Sequence, residues 1–175
     1  MTFTAADWDV ARPVTVTGID DALIDGTQSV VVTVSVDDAA SHAAFAGVPD
    51  SSIVVTNDDD DVAGFTITQS DGITVVGESG STDALEVVLD AQPTSNVVLE
   101  VASGDLGEVT VAPASLTFGP TDWNQARLVT VTGVDDDLLD GAVTTDVTIA
   151  VVAASSDNAF DAVAPQVVTV QTTDN

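Results

Sequence analysis

The residues with most chemistry to offer are carboxylates, and they stand at repeated spacings. GIDDALIDG, with Asp20, Asp21 and Asp25, returns as GVDDDLLDG, with Asp135, Asp136, Asp137 and Asp140. Asp58, Asp59, Asp60 and Asp61 form an unbroken acidic run, echoed at Asp174. Glu78 stands in GESG after an apolar stretch, and Asp105 in SGDLGE. Loops rich in oxygen donors suit Ca2+, which takes about six to eight carboxylate and carbonyl ligands on flexible segments. Adjacent carboxylates repel by on the order of 1–4 kcal/mol per pair at ~4 Å, depending on the local dielectric; a divalent ion reverses that sign. The competing reading is a solvated charge run that extends the backbone around it.

Composition narrows the chemistry further. The chain has 29 acidic residues against two basic ones, Arg12 and Arg127, for a formal net charge of −27. Binding a polyanion relies on Lys and Arg, so nucleic acid is excluded as a partner. Without Cys there is no disulfide, thiolate metal site or Cys nucleophile. The single His, His42, has Asp157 at its repeat-equivalent position, and no G-x-S-x-G elbow is present. No acid–base pair with a positioned nucleophile can be named, so a non-enzymatic chain is expected. Glu78, Glu86, Glu100 and Glu108 are the only glutamates. The rest of the acid is Asp, which favours turns and strand ends. Trp8 and Trp123 are read as packing anchors. Arg12 and Arg127 are read as neutralising Asp7 or Asp9 and Asp122 respectively.

The elements that must position these groups repeat as well. Residues 1–60 laid over 116–175 match at 26 of 60 positions without a gap, an offset of 115. Self-similarity at a fixed period marks an array of modules. Alternating Val/Thr stretches bounded by Asp, Gly and Ser turns predict strands near 64–69, 72–76, 83–90, 96–103, 108–118, 127–134, 144–153 and 166–172. Short strands at this spacing imply an antiparallel β-sandwich. The segments 37–47 and 153–163 read as loops with a short helical turn. By the offset, residues 1–60 hold only the last four strands, near 2–4, 13–19, 28–36 and 51–57. The expected organisation is a C-terminal half-module over 1–60 and a complete module over 61–175. The half-module is left with an open apolar face and unpaired edges. A preceding segment, a neighbouring chain or the full module are the candidates to cover it. Met1 is expected to be a starting point inside a longer protein. No apolar run is long enough for a membrane span.

The arrangement LTF-x-P…W…VTVTGVDDDLLDG, ending in a strand that runs into TNDDDD or TTDN, resembles a Calx-beta-type repeat. That family occurs in sodium–calcium exchanger sensor domains and in arrays within giant bacterial surface proteins. The resemblance covers 61–175 and, as a half-copy, 1–60. It implies an immunoglobulin-like sandwich with Ca2+ at the end where modules join. The implied ligands are Glu78, Asp105, Asp135, Asp136, Asp140 and Asp174, with Asp20, Asp21, Asp25, Asp58, Asp59 and Asp60 in the half-copy. Asp140 is shorter than the family's usual Glu, the next expected acid falls at Val143, and the half-copy lacks equivalents of Glu78 and Asp105.

The expected function is a structural repeat of an extracellular or cell-surface protein or fibre, stiffened by Ca2+ at module junctions. Its partners would be adjacent modules or neighbouring copies of the chain. Three alternatives stand beside it. One is an acidic surface adapted to brine, without a specific metal site. Another is a module binding a glycan or a cell-surface protein through its loops. The last is a filament subunit whose open half-module is completed by a neighbouring chain.

Overall fold

The computed structural model describes all 175 residues. Alternating apolar and polar residues between Asp-, Gly- and Ser-rich turns produce eleven strands and three short 3-10 turns. The chain divides into two compact units. One comprises Met1–Asp21 and Thr27–Asp58, the other Ala22–Gly26 and Asp59–Asn175.

The second unit is an immunoglobulin-like β-sandwich. Its strands are β3 (Phe65–Gln69), β4 (Thr74–Gly77), β5 (Thr82–Leu89), β6 (Val97–Ser103), β7 (Val109–Ala112), β8 (Ser115–Phe118), β9 (Arg127–Gly133), β10 (Val143–Val151) and β11 (Gln166–Thr173). One sheet has the order β4-β11-β10-β6-β8 and the other β3-β5-β9-β7. All pairs are antiparallel except β4 with β11, which run parallel. The inward positions of both sheets form one core, with Leu85, Val87, Leu99, Val129, Val131, Val147 and Ile149 fully buried. The period of two is visible within β9, where Val129 and Val131 are buried and Leu128 is exposed.

The stretch 108–118, read from sequence as one strand, is two. Pro113 lacks the N–H that a continuous ladder needs, and the chain changes sheets around it. The unit also includes Ala22–Gly26: Leu23 bridges Gln92, the Gln92 N–H donates to the Ala22 carbonyl at 2.7 Å, and Ile24 packs against the core.

The first unit holds a single hairpin, β1 (Gln28–Val34) with β2 (Ser51–Asn57). Its register matches that of its repeat partner. Val30 faces Val55 and Val32 faces Ile53, as Thr145 faces Val170 and Val147 faces Val168. The strands expected near 2–4 and 13–19 are not formed. The physical reason lies in their twins: β8 pairs with β6, and β9 pairs with β5 and β7. Those partners come from 82–112, which has no counterpart in residues 1–60. Side chains fully buried in the complete copy are therefore exposed here. Val14, Val16 and Phe45 are 53%, 46% and 58% exposed, whereas Val129, Val131 and Phe160 are at 0%. Trp8, expected to anchor packing, is 73% exposed, whereas Trp123 packs against the core.

Local contacts survive in both copies. Arg12 pairs with Asp7 and lies over Phe3, and Arg127 pairs with Asp122 and lies over Phe118. His42 Nδ1 accepts the Ala44 N–H at 3.1 Å, and at the equivalent turn Asp157 Oδ1 accepts the Ala159 N–H at 3.0 Å.

The twin positions give a direct test. Val129→Ala removes methyl groups from a sealed core and should lower stability by about 2 kcal/mol in chemical denaturation followed by circular dichroism. The equivalent Val14→Ala removes groups already in water and should stay within about 0.5 kcal/mol of the parent chain. Equal costs would mean that residues 1–21 are packed far better than their exposure indicates.

Candidate metal centre

Two strand pairings bring buried carboxylates to one end of the second unit. The parallel β4–β11 ladder sets Gly77 beside Thr173, and the Glu78 N–H donates to the Thr173 carbonyl at 3.1 Å. The β7–β9 ladder sets Val109 beside Gly133, and the Val134 N–H donates to the Glu108 carbonyl at 2.9 Å. These ends belong to opposite sheets and meet because position 133 is Gly. A Cβ there would lie 2.3 Å from the Gly77 carbonyl oxygen.

Glu78 and Glu108 are only 2% and 9% exposed, and each keeps one carboxylate oxygen, Oε2, buried without a hydrogen-bond partner. Burial pushes both carboxyls above the usual carboxylate range. The charges of Asp174, Asp136 and Asp140 add to this at Glu78, partly offset by the backbone N–H of Asn175. Those of Asp140, Asp136 and Asp105 add to it at Glu108.

The aspartates are seated by their own loops. Asp174 accepts the Gly141 N–H at 3.0 Å, and Asp136 accepts that of Leu138 at 2.7 Å. Asp105 accepts the Gly107 N–H at 2.8 Å, and Asp135 accepts the Asn175 side-chain amide at 3.0 Å. Of the residues singled out from sequence, Glu78, Asp105, Asp136, Asp140 and Asp174 thus act on this one end. Asp135 is exposed and held by Asn175. No three His, Asp or Glu side chains stand at ligand distance from a common point; the carboxylates share a field without closing on a centre.

Sequence reasoning missed Glu108, which it placed at the head of a strand. The available signal was its rarity: it is one of four glutamates, three residues after Asp105.

The acidic residues of the first copy sit differently. Asp59 accepts the N–H groups of Asp61, Gly26 and Asp25 at 2.9, 2.6 and 3.0 Å, and these hold its carboxyl below the usual range. Thr27 donates to Asp58 at 3.3 Å. Asp20, Asp21, Asp25, Asp58 and Asp60 are exposed. Residues 1–60 contain no Glu, so nothing there matches the buried pair.

A further carboxylate is structural. Asp157 is buried and accepts bonds from the Thr94 N–H and hydroxyl, the Ser95 N–H and the Ala159 N–H. Burial alone would raise its pKa, but those donors outweigh it and bring the group down to about 2.

No family model matches the chain, and no curated protein does. Among solved structures it is similar to the apo form of the Calx CBD1 domain, at 15% identity over 63% of this chain and 97% of that one, with a TM-score of 0.45. It is also similar to the chaperone DraB of E. coli, at 7% identity over 65% of this chain and 56% of that one, TM-score 0.47. The Bacteroides ovatus GH5 xyloglucanase in complex with a heptasaccharide matches at 10% identity over 64% of this chain, TM-score 0.44. The match spans only 19% of that enzyme's length.

The two kinds of carboxylate predict a two-limbed pH profile without divalent cations. A carboxyl with a raised folded pKa binds more protons folded than unfolded between its two pKa values, so stability grows as pH falls through that window. Glu78 and Glu108 are of this kind. Asp157 is opposite: its contribution is complete above its unfolded value and is lost as pH falls towards about 2. The melting temperature in EGTA should rise from about pH 8 towards about pH 5 and fall below about pH 4. Glu78→Gln with Glu108→Gln should flatten the upper limb and leave the lower one. An upper limb that survives this double substitution would place its origin elsewhere.

Proposed function

We propose that this chain is a non-enzymatic structural repeat of an extracellular surface protein or fibre, and that the acidic end of its second unit binds Ca2+ and stiffens the module there. The observation that carries the reading is the pair Glu78 and Glu108, each with a buried, unpartnered oxygen in the negative field of Asp136 and Asp140. Burying a carboxylate without a partner is costly unless a cation or a proton relieves it. A hard cation fits the donor set, which is all oxygen, with no Cys anywhere in the chain. Aspartates on separate loops favour Ca2+ over Mg2+, which demands tighter octahedral geometry.

Glu78, Glu108, Asp105, Asp136, Asp140 and Asp174 would hold the ion. Its charge would tie loops 105–108 and 135–141 to the end of β11. The 115-residue offset supports reading this end as a junction, since Asp174 is the twin of Asp59, which lies two residues before the second copy starts at Asp61. The resemblance of VTVTGVDDDLLDG to Calx-beta repeats supports the same assignment. Asp20, Asp21, Asp25, Asp58, Asp59 and Asp60 belong to the equivalent cluster of the first copy, which lacks the glutamates and is assigned weaker binding.

Thermal melts in CaCl2 and in excess EGTA test the proposal. Ca2+ at a hundredfold excess over Kd should stabilise the fold by about 2.7 kcal/mol. NaCl at matched ionic strength should give less, and Glu78→Gln with Glu108→Gln should abolish the difference. An unchanged melting temperature in Ca2+ would overturn the reading. Equal responses to NaCl and CaCl2 would instead assign the acidic surface to general salt adaptation.

A further inference from the structure

We propose that the Asp71–Gly72 peptide is a modification site, the place where this backbone rearranges spontaneously to isoaspartate, and that Asp59 and Asp174 hold the other two Asp–Gly peptides against the same reaction. The inference is independent of Ca2+ binding. It rests on three occurrences of one dipeptide that differ at the reacting nitrogen.

Asp followed by Gly is the pair most open to this chemistry, because no Cβ on the second residue obstructs attack by its nitrogen. The chain has three such pairs, Asp25–Gly26, Asp71–Gly72 and Asp140–Gly141, and no Asn–Gly. In the reaction the Gly72 nitrogen attacks Cγ of the protonated Asp71 carboxyl. An N–Cγ bond forms, the Cγ–OH bond breaks, and the hydroxyl leaves with the amide proton as water. Water then reopens the cyclic imide. Cleavage of the N–Cγ bond restores aspartate. Cleavage of the bond from nitrogen to the Asp71 main-chain carbonyl carbon leaves the chain running through Cβ and Cγ, which is isoaspartate. No oxidant, reductant or cofactor is needed.

Backbone conformation does not distinguish the three pairs, since their glycines have φ of 70°, 78° and 79°. The acceptor of the glycine N–H does, and this is the group that must lose its proton for nitrogen to attack. The Gly26 N–H donates to Asp59 Oδ2 at 2.6 Å, and the Gly141 N–H to Asp174 Oδ2 at 3.0 Å. These are twin contacts at the 115-residue offset. A carboxylate acceptor strengthens the bond, and its charge opposes an amide anion forming beside it. Asp59 also accepts the Asp25 N–H at 3.0 Å. The Gly72 N–H reaches only the neutral Gln69 carbonyl, at 3.3 Å, beyond the usual range. Asp71 itself is exposed.

The place of this turn gives the product structural reach. It carries the chain from β3 in one sheet to β4 in the other, and Glu78 directly follows β4. Anchors flank the reacting peptide without holding it. Ser70 Oγ donates to Asp83 Oδ1 at 2.5 Å, Asp83 Oδ2 accepts the Val75 N–H at 3.0 Å, and Thr74 Oγ1 donates to Gln69 Oε1 at 2.9 Å. Isoaspartate lengthens the backbone between these anchors, so the mismatch falls on β4 and its parallel ladder with β11.

The test ages the 175-residue chain in EGTA at neutral pH and maps isoaspartate by peptide mass spectrometry. Isoaspartate should accumulate at Asp71 at least about tenfold faster than at Asp25 or Asp140, the effect on the barrier of one charge-assisted hydrogen bond. In urea the three rates should converge, because the folded contacts are gone. Asp174→Ala should raise the rate at Asp140 towards that at Asp71 and leave Asp25 unchanged; Asp59→Ala should do the reverse. The parent chain, folded and in urea, decides the matter even where a variant unfolds. Equal rates at the three pairs in the folded chain would overturn the proposal, as would a preference for Asp71 that persists undiminished in urea. Folded variants in which neither Asp25 nor Asp140 reacts faster would overturn the protective role of Asp59 and Asp174.

Discussion

A strand in this molecule is held by the strands on either side of it, and those neighbours come from far along the chain. β9 lies between β5 and β7; β10 lies between β6 and β11. Each backbone ladder also lays an apolar face over the core, so pairing and burial are gained or lost together. Residues 12–18 and 127–133 share the sequence VTVTG, yet only the second stretch is a strand. One local difference separates them: Pro13, which has no N–H to give a ladder, stands where β9 has Leu128. The larger difference is whether partners exist to satisfy the N–H and C=O groups and to exclude water from the aliphatic side chains.

The same dependence places the charge. Glu78 and Glu108 lie at the end of a sealed core because the β4–β11 and β7–β9 ladders end there, and because Gly133 lets the two sheets approach. Burial removes water from carboxylates whose neighbours are also negative, so the fold stores unfavourable energy at this end. Protonation of either carboxyl lowers that energy, which is why both sit above the usual carboxylate range. Asp157 shows the contrasting solution, a buried carboxylate satisfied by four donors and kept ionised. Two buried acids without enough donors beside one with a full set mark a difference in role. The first kind keeps an unpartnered oxygen, whereas the second holds loop 94–95 to the 157–160 turn.

Much of the candidate site was legible because Asp and Glu in turns are visible as motifs. Glu78 after an apolar strand, Asp105 in its turn and the pair Asp136 and Asp140 were all readable. Glu108 was not, because a glutamate heading a strand ordinarily points to solvent, as Glu86 and Glu100 do. Its burial depends on the neighbouring end of β9, which no local pattern encodes. Trp8 failed in the opposite sense. Its sequence context matches that of Trp123, but the surface it would pack on belongs to strands absent from its own half.

The amino-acid sequence alone determined the period of 115, the alternation that makes strands, the turns that separate them, and the contacts within about five residues, such as Arg12 with Asp7 and Arg127 with Asp122. These depend on neighbours along the chain, and both copies show them. The tertiary structure decided which of the predicted strands form, which side chains are dry, and which carboxylates share a field. Those outcomes depend on groups brought together across 20 to 100 residues. Closely similar letters therefore fold as a sandwich where their partners are present and remain a two-stranded hairpin with exposed side chains where they are not.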